Sequence, residues 1–240
     1  SKTHGLKGRQ RVCKEMTDFL LIRHGETDWN RELRFQGRID IPLNDIGQLQ
    51  AQRLKKRFAQ TLEQWRADKR EIHGVVSSVL QRAHQTAQPV AELLGVESVL
   101  NPGLQEQCYG IFEGLTAQEI KVQYPEAWTQ WLAFDSQVAV EGAESAQVFH
   151  DRVMHTMNDL AAEYVDGHVV VVTHGGVLDM IWRHAQQHTL DGRRVCDIPN
   201  AGINHVSCHD GQWQILSWAD TEHLTDLPPQ PVYHQTQLKA

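Results

Sequence analysis

Val169-Val170-Val171-Val172-Thr173-His174-Gly175-Gly176 is the stretch that decides the architecture. Four consecutive valines and a threonine make a short strand that is apolar on both faces, the pattern of a parallel sheet covered by helices. The two glycines end it, and an apolar helix follows through Val177, Ile181 and Trp182. Near the start of the chain, Phe19-Leu20-Leu21-Ile22 repeats the pattern and runs into Arg23-His24-Gly25. Two strands thus end at a histidine followed by glycine. Ligands of open α/β sheets bind beyond the carboxyl ends of the strands, so both histidines fall where a site is expected.

The neighbouring segments fit the same layers. Asn44 is placed to cap a helix carrying Leu54, Phe58, Leu62 and Trp65 at four- and three-residue spacing. Gly74-Val75-Val76-Ser77 reads as a further strand, followed by a helix from about Arg82 to Leu94 that stops at Gly95. Near the end, Ile203 to Cys208 and Trp213 to Trp218 flank Asp210-Gly211, a two-residue hairpin signal. The expected fold is a three-layer α/β sandwich with a mostly parallel central sheet, an antiparallel edge strand and a small helical cap insertion. That cap spans about 103–146 and holds two helical pieces, Ala117–Tyr124 and Ala127–Phe134. The expected domain spans 17–225, between an N-terminal tail at 1–16 and a C-terminal tail at 226–240. Ser1–Glu15 is polar and irregular; Met16 as initiator and a genuine tail are both compatible with it.

Composition narrows the class. Of 240 residues, 40% are hydrophobic and 22% charged, which is globular rather than disordered. No run reaches the roughly 18 to 20 apolar residues of a membrane span, and no export signal is read. The formal net charge of −7 argues against a nucleic-acid or anionic-membrane partner. Any anion must be gripped by a local cation cluster. Cys13, Cys108, Cys196 and Cys208 form no C-x-x-C pair, so free thiols in a reducing cytoplasm are expected. An edge strand able to pair with a second copy leaves a homodimer compatible with the sequence.

The chain has 14 histidines, but His184 and His188 lack the glutamate of H-E-x-x-H, and His150 and His155 are poorly spaced for one face. No metal site is expected. Arg53, Lys55, Lys56 and Arg57 read as the wet face of a helix, and Trp128, Trp131 and Trp182 as packing residues, the first two also able to line a pocket. Gly142-Ala143-Glu144-Ser145 reads as a helix start.

Leu21-Ile22-Arg23-His24-Gly25-Glu26-Thr27 with Asn30 resembles the signature of the histidine phosphatase superfamily, phosphoglycerate mutase-like branch. Four more blocks resemble that family in order. They are Gly37 to Asn44 with Gly47-Gln48, Ser77 to Ala87 containing Arg82, Leu104-Gln105-Glu106 with Gly110, and Thr173 to Gly176. The resemblance covers about Met16 to Leu224. It implies a phosphatase (phosphomonoesterase) acting on a small phosphorylated metabolite through a phosphohistidine, with no cofactor. His24 is the implied nucleophile, His174 a charge-stabilising donor, and Glu106 the proton donor and later base. Arg23, Asn30, Gln36, Gly37, Arg82 and Gly175 are the implied substrate-binding residues. The chemistry is coherent: a phosphomonoester carries about two negative charges that repel a nucleophile until arginine forks neutralise them.

Two alternatives share the scaffold. Mutases of the family carry Glu-Arg-His-Tyr-Gly where this chain has Glu106-Gln107-Cys108-Tyr109-Gly110, so Gln107 replaces the carboxylate-binding arginine. Only Lys121 lies between Arg82 and Arg152, which leaves the cap poor in cations. Phosphatase is therefore expected over mutase. A non-catalytic phosphate-binding module is disfavoured because the implied nucleophile, acid and cations are all retained.

Overall fold

The structure, a computed structural model, describes residues 15–231. Strand β1 (Met16–Arg23) leads through the short helix α1 (Asp28–Arg31) to the long helix α2 (Asp45–Trp65). Strand β2 (Gly74–Ser78), helix α3 (Gln81–Leu94) and strand β3 (Ser98–Asn101) follow. Helices α4 (Ala117–Gln123) and α5 (Pro125–Trp131) lie in the segment expected as a cap. The chain then returns through α6 (Ala146–Glu163), β4 (His168–Thr173) and α7 (Gly175–Ala185) to the hairpin of β5 (Ile203–His209) and β6 (Gln212–Asp220).

One six-stranded sheet runs β3-β2-β4-β1-β5-β6. The first four strands pair in parallel, β5 pairs antiparallel to β1, and β6 closes the edge antiparallel to β5. Side chains alternate across β1. Phe19 and Leu21 enter one core with Phe149, Val153 and Met157 of α6 and Val177 and Ile181 of α7. Leu20 and Ile22 enter the other with Leu54 and Phe58 of α2 and Ala83 and Val90 of α3. Phe19, Leu21 and Ile22 are wholly buried, each contributing about 1.5–3 kcal/mol. The three-layer sandwich is as expected.

Local chemistry explains the boundaries. Asn44 caps α2 by accepting from the Gly47 amide, Gly95 ends α3 in the left-handed region, and Asp210-Gly211 turns with both φ positive. Strand β3 and helix α6 go beyond the expected elements. Val99 and Leu100 of β3 are half exposed, so no burial pattern announces that strand. The second cap helix ends at Trp131, short of the expected Phe134, which takes a positive φ. Helix α7 stops at Ala185, so His188 lies beyond it and shares no helical face with His184. The cap segment has its own small core of Phe112, Ile120, Trp128 and Val140, completed by Phe35.

Of the expected tails, 1–14 and 232–240 lie outside the described residues, as does Cys13. Asp226 pairs with Arg53 and Gln230 bonds Asn200, so the segment just past 225 packs on the domain. Among the described residues Cys108, Cys196 and Cys208 are free, and no helix is long and apolar enough to cross a membrane.

Candidate active site

The sheet register builds the site. Arg23 pairs with Thr173 across β1 and β4, so the next residues, His24 and His174, emerge side by side where the strands end. Their ring centroids are 5.2 Å apart, close to the spacing of adjacent strands. Strand β2 brings Ser78 to the other side of β4, with its Oγ 2.8 Å from His174 Nε2. The first turn of α3 adds Arg82, almost wholly buried.

His24 Nδ1 lies 2.7 Å from the carbonyl of Gly25, which can only accept. The neutral ring is thereby held with its proton on Nδ1, leaving Nε2 with a free lone pair. Burial, then the charges of Arg82 and Arg23, hold the His24 titration well below the usual histidine range. Burial, then Arg82 and His24, do the same for His174. Asn200 donates to the His24 carbonyl at 3.0 Å and fixes the turn from the β5 side.

The two arginines are braced by backbone. Arg82 Nη1 donates to Ile39 O and Nη2 to Gly37 O, both at 2.7 Å, while Arg23 Nη1 donates to Ile198 O at 2.6 Å. Nε of each is buried without a hydrogen-bond partner, as is His174 Nδ1. Buried donors of this kind are rarely left unmatched unless a ligand completes them. Burial pulls both guanidiniums down to about 10, so both remain charged near neutral pH.

Glu106 reaches the site on the loop before the cap. Its Oε2 accepts from the Gly176 amide at 3.0 Å and its Oε1 from the Gln107 amide at 2.8 Å. Thr173 Oγ1 donates to Leu104 O, and Arg152 donates to the carbonyls of Gly103, Gln105 and Glu106. Arg152 also grips Glu144, whose Oε1 accepts from the Cys108 amide. Arg152 is thus a positioning residue for the Glu106 loop that sequence reasoning missed. Ser145 caps α6, the role expected for its motif.

A cavity of about 110 Å³ gathers Arg23, His24, Asn30, Gln36, Gly37, Arg82, Glu106 and Gly175. Every implied catalytic or binding residue lines it except His174, which lies directly behind against His24. Asn30 Oδ1 accepts from the Thr27 amide and Gln36 Oε1 from the Thr27 hydroxyl, leaving their NH2 groups as donors. Phe35, Tyr109 and Trp131 form an aromatic wall, and Trp128 is buried behind it.

The cap itself is poor in cations, yet beyond Arg23 and Arg82 the cavity is lined by two further guanidiniums, Arg34 and, from the loop after α7, Arg194. Its only sequence signal is a Gly192-Arg193-Arg194 run with no motif around it. Among the described residues no group of three His, Cys, Asp or Glu side chains is arranged to hold a metal ion.

Known proteins resemble this chain over most of its length. The family model of the histidine phosphatase superfamily (branch 1) matches residues 19–221. Phosphoglycerate mutase-like protein 4 of Arabidopsis thaliana is 33% identical over 88% of this chain and 89% of its own. The metal-independent phosphoserine phosphatase of the same plant is 33% identical over 90% of this chain and 87% of its own. Among solved structures, a mutant phosphoserine phosphatase from Entamoeba histolytica in complex with phosphoserine superposes with a TM-score of 0.73 at 25% identity, covering 87% of this chain and 99% of that one.

Proposed function

We propose a function for this chain on one premise: it belongs to the histidine phosphatase superfamily (branch 1). It is a phosphomonoesterase, and its substrate is a small phosphorylated metabolite. In our reading His24 Nε2 attacks phosphorus in line, forming a P–N bond as the P–O bond to the leaving alkoxide breaks. Glu106 in its acid form gives that alkoxide a proton. The resulting carboxylate then takes a proton from water, whose oxygen attacks phosphorus and releases inorganic phosphate and free His24.

Arg23 and Arg82 neutralise the non-bridging oxygens, and their braced forks need no rearrangement to do so. His174 stabilises the charge that grows in the transition state. Asn30 and Gln36 offer neutral donors, and Gly37 and Gly175 let the ligand approach the backbone. The observation that carries the proposal is the His24 ring, locked with Nε2 free in the field of the buried Arg82 and the partly buried Arg23. Gln107 bonds the Glu144 carbonyl and supplies no charge, which supports phosphatase over mutase.

The test is hydrolysis of p-nitrophenyl phosphate, repeated in EDTA, with an alkaline denaturing quench of a radiophosphate-labelled substrate to trap the acid-labile phosphohistidine. The wild type should turn over in both buffers and carry the label, and His24→Ala should lose label and turnover. Undiminished hydrolysis by His24→Ala would overturn the mechanism. Robust isomerisation of 3-phosphoglycerate with catalytic 2,3-bisphosphoglycerate would favour a mutase instead.

A further inference from the structure

Asn200, only 2% exposed, uses its side-chain amide on the surroundings of the nucleophile. Nδ2 donates to His24 O at 3.0 Å and to Asn30 Oδ1 at 3.3 Å. The Thr27 amide donates to that same Asn30 oxygen at 3.0 Å, which fixes the side chain and leaves its NH2 for an anion. The next residue continues the clamp, because the Ala201 amide donates to Arg23 O at 2.9 Å. One turn before β5 therefore holds the carbonyls of both Arg23 and His24.

What holds that turn comes from the other end of the chain. Gln230 Oε1 accepts from Asn200 N at 2.7 Å, and Gln230 Nε2 donates to Asn200 O at 2.9 Å. One amide side chain thus pairs both backbone groups, as a residue of a neighbouring strand would. His223 Nε2 donates to Ala201 O at 2.8 Å from the same segment. Leu224 and Leu227 pack on the core shared by α2 and α3, and Arg53 grips Asp226 at 2.6 Å. Pro228 and Pro229 fix φ just before Gln230, so little chain entropy is lost in placing the amide. All of these anchors lie past residue 221, where the family domain ends.

We propose that Gln230 is a positioning residue of the active site: it sets Asn200, and through it the His24 backbone and the Asn30 donor. This rests on the phosphatase reading for the roles of His24 and Asn30.

Full-length Gln230→Ala and Asp226→Ala separate positioning from tethering, since the second loosens the same segment without touching Asn200. The measurements are kcat/KM for p-nitrophenyl phosphate and the calorimetric Kd of inorganic phosphate, with urea unfolding to establish that both variants are folded in the assay. Gln230→Ala should lower kcat/KM about three- to tenfold and raise the phosphate Kd about threefold, the scale of an ordinary hydrogen bond. Asp226→Ala should keep both within about twofold, as befits a surface ion pair. Unchanged kcat/KM and phosphate Kd in Gln230→Ala overturn the proposal, as does an equal loss in Asp226→Ala, which would make the segment a tether only. If Gln230→Ala does not fold, Gln230→Glu takes its place with the same expected direction, because it keeps the acceptor for Asn200 N and loses the donor to Asn200 O. Failure of the phosphatase reading shows separately, as a wild type that does not hydrolyse p-nitrophenyl phosphate. The phosphate Kd then still decides the role of Gln230, and a wild type that binds no phosphate at millimolar concentration overturns both.

Discussion

Glu106 accepts the Gly176 amide proton through Oε2 at 3.0 Å, which ties the acid loop to the first turn of α7 beside His174. A side chain at position 176 would collide with Glu106 Oε1, so only glycine lets the carboxylate lie that close. The acid and the second histidine are thus positioned by one turn of helix.

Glu106→Gln keeps an oxygen to accept from Gly176 but has no proton to give. We expect kcat for an alkyl phosphate to fall about 10²–10⁴-fold. The loss with p-nitrophenyl phosphate should be much smaller, because that leaving group needs little protonation. Equal losses on both substrates, read from steady-state kinetics, would point to misfolding or a binding role.

Arg82→Lys keeps the charge but cannot bridge Gly37 O and Ile39 O while facing an anion. Charge-assisted hydrogen bonds are worth about 1.5–3 kcal/mol each, so kcat/KM should drop at least about tenfold. Wild-type kcat/KM in this variant would show that charge alone suffices.

Arg152→Met removes the donors to three carbonyls of the Glu106 loop and takes from Glu144, whose side chain is 15% exposed, its nearer arginine, leaving Arg38 at 3.3 Å and the Cys108 amide. The expected cost is about 1–3 kcal/mol in urea unfolding, with kcat reduced as the loop loosens. A variant of full stability would remove Arg152 from the positioning role given it here.

Acid should unfold the chain through its buried histidines. His24 and His174 titrate below their ordinary value of 6.5, chiefly because burial disfavours the charged ring. The unfolded chain then binds more protons once the pH drops under 6.5, so stability is complete above that value and declines beneath it. Glu144 and Asp18 extend the decline at lower pH, since burial is outweighed by partners such as Arg152 and His205 that favour their charged forms. Urea midpoints at pH 7.5, 6.5 and 5.5 should be level over the first interval and lower at the last. A midpoint that rises towards pH 5.5 would contradict the assignment.

Much of the fold could be read from linear order because burial on both faces leaves a local mark. The four valines of β4 and the apolar run of β1 carry it; β3 does not, since Val99 and Leu100 face outward and only pairing with β2 makes them a strand. Helix α6 carries a helical stripe in Phe149, Val153, Met157 and Leu160 that is equally local. The candidate site was legible through its short motifs, whereas Arg152 and Arg194 belong to no motif and reach the site from separate elements.

Alone, the amino-acid order determined which side chains are available and that two strands end in histidine, because those properties depend on neighbours a few residues apart. Only the tertiary structure decided that Arg23 faces Thr173, which sets the two rings together, and that Arg194 bends back over Gly175. Those outcomes depend on strand order and loop path. A one-residue slip between β1 and β4 would turn every side chain to the opposite face and undo the pairing.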